Sequence, residues 1–179
     1  MASSSSIKLR ARDPRDMEVI AAWLQDALVP LADVAYLKRE KRFVLVANRF
    51  MWESAPPGTP PGTPPDPQEA APGGDARFAD ETGEPAFQRV NCGVCFDRVR
   101  AVRTRGLELK NKDHILNLLT IEAAPHAVTL LFSGDAVIRL EVAAIACHLE
   151  DLGEPWPTRW QPAHGETEPA EREKARQEG

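Results

Sequence analysis

Two stretches with strand-like apolar spacing, 7–53 and 89–152, are separated by a segment that cannot fold as either of them does. That segment, 54–88, holds nine of the sixteen prolines, and residues 56–67 read PPGTPPGTPPDP. Proline lacks the backbone donor that helices and sheets use, and glycine raises the entropy lost on ordering. The sequence therefore predicts a solvated, partly polyproline-like, disordered insertion at 54–88 within one small globular domain, 7–160. Residues 161–179 read as a disordered acidic tail. What remains is about 125 residues, the size of one domain with one core.

The net charge of -5 divides unevenly along the chain. Residues 1–53 and 89–160 together carry 18 basic and 16 acidic side chains, whereas the insertion alone carries -5 and the tail -2. The folded body is thus close to neutral and slightly basic, and the acidity lies on segments outside it. A generic nucleic-acid binder needs a clearly basic domain, so nucleic acid is not an expected partner. The start, MASSSSIKLRARD, has no apolar core of a secretion signal, and no uncharged stretch approaches the roughly 20 residues that span a bilayer. The expectation is a cytoplasmic protein without membrane contact. Three cysteines, an odd number, do not form a disulfide framework, which agrees with a reducing compartment.

Local patterns give the expected elements. Asp13 or Asp16 caps a helix from about Arg15, with Pro14 in its first turn, and Met17, Ile20, Ala21, Leu24, Ala27 and Leu28 recur at helical spacing. The same region can also be read as a turn and then a strand through 23–29. Residues 34–37 and 43–50, joined by the charged turn 38–42, read as a hairpin whose return arm is apolar on both faces at first. A strand is expected over 93–103, a polar connection over 106–113, and a helical turn at Ile115, Leu118 and Leu119. A second hairpin, 127–132 with 137–142, is signalled by Ser133-Gly134-Asp135 between alternating arms. Residues 143–152 fit either a helix or a strand. The fold class expected is α+β: a mostly antiparallel sheet built from hairpins, covered by one to three short helices.

Leu24-Gln25-Asp26-Ala27, Arg42-Phe43, Asn48-Arg49-Phe50 with Trp52, Phe96-Asp97-Arg98-Val99, Arg105-Gly106, Ile138-Arg139-Leu140-Glu141-Val142 and Asp151-Leu152 together resemble a small bacterial family of unknown function. The resemblance implies an alphaproteobacterial setting, often encoded near histidinol dehydrogenase. It transfers no catalytic residue. The long proline-rich insertion and the cysteine pair at 92 and 95 depart from the family pattern.

Cys92-Gly93-Val94-Cys95 is the sharpest motif-like feature. A C-x-x-C pair exchanges thiols when it opens a helix, or supplies half of a zinc site. Here the pair lies in an expected strand continuing through Phe96–Val99, where residues three apart point to opposite faces. Cys147 and His148, the other candidate ligands, are adjacent and so face opposite ways too. The four histidines show no metal-ligand spacing, no G-x-S-x-G elbow is present, and the glycine-rich segments lack a P-loop lysine. No cofactor and no metal is expected.

Two groups of residues remain as binding candidates. Arg98, Arg103 and Arg105 lie in a basic run, 89–112, where guanidinium groups on a strand suit carboxylate or phosphate. Asn48, Arg49 and Trp52 at the end of a strand can rim a groove, since aromatics and arginine dominate interface hot spots. Trp156 between two prolines reads as a staple for the C-terminal strap. The leading expectation is a non-enzymatic binding or protein-interaction module that takes a protein partner or a small anionic ligand. A small enzyme with scattered active-site residues, and a metal- or thiol-dependent regulator using Cys92 and Cys95, are the alternatives.

Overall fold

The computed structural model describes residues 6–54 and 87–158. The predicted insertion and acidic tail, and Trp160, fall outside them, apart from the ends of the insertion. There a short 3-10 turn occupies Trp52–Ser54, and the next strand already begins at Phe87. Phe87 is 2% exposed, so the predicted boundary at 88 cuts into a core strand.

Ten strands and one α-helix make up the described chain: β1 Lys8–Ala11, α1 Pro14–Trp23, β2 Ala27–Pro30, β3 Val34–Leu37, β4 Arg42–Phe50, β5 Phe87–Phe96, β6 Val99–Arg105, β7 Ile115–Ala124, β8 Ala127–Phe132, β9 Val137–Val142 and β10 Cys147–Thr158. Every pairing is antiparallel, in the order β1-β10-β5-β4-β2-β7-β8-β9-β6, with β3 added beside β4. The expected α+β class, a mainly antiparallel sheet with helical cover, is what forms.

Helix α1 starts where the sequence places it. The Asp13 side chain accepts from Asp16 N at 2.9 Å, Pro14 occupies the first turn, and Asp16 Oδ2 accepts from Arg12 N at 2.9 Å. These reciprocal bonds satisfy donors that a helix start leaves open. Met17 and Ile20 are buried on its inner face. Asp26 then takes a positive φ of 60°, which turns the chain into β2. Both readings of 15–29 are therefore realised in succession, helix first and strand second.

The two hairpins form as expected. Leu37 pairs with Arg42 across the charged turn, and Leu130 pairs with Ile138 across the turn containing Gly134 at φ 71°. Three readings are corrected, and the choice left open at 143–152 falls to strand from Cys147 on. The strand expected over 93–103 is two strands, because the chain turns at Asp97-Arg98 with Arg98 at φ 61°. Ile115, Leu118 and Leu119 lie in β7 and not in a helical turn. A bulge between Leu118 and Thr120 breaks the two-residue alternation, so buried Leu118 is followed by buried Ile121 at a helix-like spacing of three. Residues 147–158 are strand, with Cys147 and Leu149 facing the core. Arg98, expected on a strand, sits in the turn between β5 and β6, whereas Arg103 and Arg105 lie on β6.

One buried cluster joins Leu45 and Ala47 of β4, Val94 and Phe96 of β5, Leu118 of β7, Leu130 of β8, Ile138 and Leu140 of β9 and Leu149 of β10 with Met17 and Ile20 of α1. Strands from both ends of the order share it, so the sheet curls. Its last strand reaches the β3–β4 turn, where Val99 N donates to Lys41 O at 2.8 Å and Tyr36 OH to Arg100 O at 3.1 Å. Among the described residues no helix is long and apolar enough to cross a membrane.

Candidate functional site

The pairing of β1 with β10 leaves a cleft of about 500 Å³ between β1, the Asp97-Arg98 turn and residues 144–146. Antiparallel pairing sets Arg10 of β1 directly opposite His148 of β10, and His148 opposite Cys95 of β5. Directly opposed residues point to the same face, about 5 Å apart at Cβ. Arg12 follows on the connection to α1, and Arg98 projects from the turn; both line the cleft with Arg10 and His148. Two backbone bonds clamp the turn to the opposite wall: Asp97 N to Ala146 O and Ala143 N to Arg98 O, each 2.9 Å.

Asp97 is the acidic residue in this lining, and its carboxylate is already engaged. Oδ1 accepts from Arg42 Nε at 2.7 Å, while Oδ2 lies 3.6 Å from His148 Nδ1. The hydrogen bond to Asp97, and then the charge of that carboxylate, raise the pKa of Arg42. Among the described residues, Arg10, Arg12 and Arg98 form no ion pair. Arg98 also holds a left-handed backbone conformation that costs a non-glycine residue free energy, as residues at binding sites often do.

The six residues singled out in the sequence fall in three places. Arg98 lines the cleft. Arg103 and Arg105 are exposed on β6, where Arg103 Nε meets Glu141 Oε1 at 2.7 Å. Asn48, Arg49 and Trp52 lie at or just past the end of β4, each engaged with other residues of the protein. Arg49 is fully buried: Nε and Nη2 donate to Asp151 at 2.8 and 2.7 Å, Nη2 to Glu53 at 2.9 Å, and the guanidinium lies 5.0 Å from the Trp23 ring centre. Burial alone would lower its pKa, but the bonds to Asp151 and Glu53 outweigh this and raise it. Asn48 Oδ1 accepts from Arg89 Nη1 at 3.0 Å, and Trp52 packs on Phe50 with ring centroids 4.5 Å apart. Burial lowers the pKa of Arg89, opposed by the charge of Asp26. Trp156, half-buried, pairs with Arg89 across β10 and β5.

Sequence reasoning missed Arg10 and Arg12, and weighed His148 only as a metal ligand. The alternation Lys8-Leu9-Arg10-Ala11-Arg12 was the available signal, a strand with one basic face.

The cysteine pair sits on β5 with Cys92 turned inward and Cys95 half-buried on the other face. Burial pushes the Cys92 thiol up to about 12, and likewise raises Cys95 and Cys147. All three are protonated near neutral pH, the opposite of what thiolate chemistry needs. Among the described residues no three His, Cys, Asp or Glu side chains are grouped to hold a metal ion.

Comparison with known proteins finds no match among curated proteins and none among solved structures. A family model does match, over residues 7–164, a span that includes every strand and the helix. The chain belongs to the family described as protein of unknown function (DUF2948).

Proposed function

We propose that this chain is a non-enzymatic binding module of the bacterial cytoplasm that holds a small anionic ligand in the cleft of Arg10, Arg12, Arg98 and His148. The observation that carries this reading is that three arginines without ion pairs, from β1, the β1–α1 connection and the β5–β6 turn, line one cleft. Guanidinium is charged at every physiological pH and donates in a fork that fits oxyanions. A cleft focuses such charge and raises the local concentration of an anion. The acid in the lining is occupied by Arg42, so it does not neutralise the three. Three free cysteines fit a reducing compartment.

Thermal unfolding in inorganic phosphate, sulfate, acetate and citrate at constant ionic strength tests the reading. An anion at ten times its Kd adds about 1.4 kcal/mol of stability, which raises Tm by about 3–6 °C for a domain of this size. The double substitution Arg10→Gln/Arg12→Gln should abolish that shift. If each of the four anions raises Tm equally in the wild type and in the doubly substituted protein, the cleft is not an anion site.

A further inference from the structure

The cleft carries a feature that its arginines alone do not explain. Residues 144–146 run along its wall outside any strand. Their carbonyl side is used, since Ala146 O accepts from Asp97 N. Their donor side is not: among the described residues, the backbone N–H groups of Ala144, Ile145 and Ala146 have no hydrogen-bond acceptor. Ile145 is only 5% exposed. Backbone donors at such positions are nearly always satisfied, by protein, water or ligand.

We propose that the ligand of this cleft is a terminal phosphate monoester, an inference that rests on the anion-binding function proposed for the same arginines. Three observations select this class. First, Asp97 is matched by Arg42, so Arg10, Arg12 and Arg98 leave the cleft with three uncompensated positive charges, which a monoester near its dianionic form offsets further than a monocarboxylate or a phosphodiester does. Second, the donors come from separate segments. One guanidinium fork saturates a planar carboxylate, whereas the three terminal oxygens of a monoester accept from several directions at once. Third, the non-polar part of the lining, Ala11, Ala144 and Ile145, is small and lets the backbone approach closely, with room in about 500 Å³ for a short organic group beyond the phosphate. An internal phosphate of a nucleic acid, with a single charge and two terminal oxygens, fits this set poorly.

The chemistry is shared by a small phosphorylated metabolite and by a phosphorylated side chain of a protein, and the test separates them. The probes are inorganic phosphate, phenyl phosphate, dimethyl phosphate, acetate and a phosphoserine hexapeptide. Each is titrated at pH 7.5 and constant ionic strength into the isotope-labelled full chain, with amide shifts of Ala144, Ile145 and Ala146 as readout. Inorganic phosphate and phenyl phosphate should move these amides saturably. Acetate and dimethyl phosphate should bind at least tenfold more weakly. Arg10→Gln and Arg12→Gln, both at exposed positions, should each weaken phenyl phosphate at least fivefold without disturbing the rest of the spectrum. A phosphopeptide binding no tighter than phenyl phosphate assigns the site to small esters; a gain of tenfold or more would assign it to a protein partner and overturn the small-molecule source. Acetate moving the same amides with an equal midpoint overturns the monoester and leaves the anion site standing. If no probe moves them, both the monoester and the anion site fall.

Discussion

Arg49 and Asp151, 102 residues apart in sequence, are joined by two parallel hydrogen bonds of 2.8 and 2.7 Å inside the core. Asp151 Oδ2 also accepts from Ile7 N at 3.1 Å, so one carboxylate ties β4, β10 and the start of the chain together. Removing one partner leaves an uncompensated buried charge, which typically costs about 3–5 kcal/mol. Arg49→Leu should therefore lower stability by about that much in urea denaturation. The double substitution Arg49→Met/Asp151→Leu should recover much of the loss, because no charge is left stranded between them. A neutral Arg49→Leu would mean that Asp151 finds other partners or water.

Leu140 is fully buried in β9 between β8 and β6. Leu140→Ala should cost about 2–5 kcal/mol from lost transfer energy and the cavity left behind. Arg103→Ala, on the exposed strand next to it, should change stability by less than about 0.5 kcal/mol despite its contact with Glu141. Urea midpoints of the two substituted proteins check the inner and outer assignment of this hairpin.

Arg98 separates stability from binding. Glycine accepts a φ of 61° without the clash that any L side chain meets there. Arg98→Gly should leave stability unchanged or raise it by up to about 1 kcal/mol, while weakening anion binding at least fivefold. Calorimetric titration beside a thermal melt reads both. Lost stability with unchanged affinity would show that Arg98 serves the turn and not the ligand.

The Cys92 thiol makes stability depend on alkaline pH. Its folded value, about 12, lies above the usual value of 9.0. Between those values the unfolded chain releases a proton that the folded chain keeps, so stability is fully present below pH 9 and declines as pH rises towards 12. Each unit of this window contributes at most about 1.4 kcal/mol from one thiol. Cys92→Val should flatten the fall in Tm between about pH 9 and 11. An unchanged slope would place the titrating group elsewhere.

The hairpins were legible because their information is local. Gly134 between alternating arms, and a charged turn between 34–37 and 43–50, specify pairings that need no distant partner. The cap of α1 is local in the same way, set by Asp13, Pro14 and Asp16 within four residues. Readings failed where a single residue changed the rules. The bulge after Leu118 shifted the parity of β7, so a strand imitated a helical spacing. The left-handed Arg98 ended a strand at a residue type that carries no turn signal.

Residue order alone was enough for the antiparallel class, the two hairpins, the start of α1 and the near-neutral charge of residues 1–53 and 89–160. Tertiary structure alone decided what each arginine does. Arg49 became an internal partner because Asp151 and Glu53 meet it where water is excluded, and desolvation makes such a charge depend on its neighbours. Arg10, Arg12 and Arg98 became candidate ligand groups because β1 pairs with β10 and the β5–β6 turn is clamped beside them. A guanidinium is the same group in every case; its role follows from which distant strand the sheet sets against it.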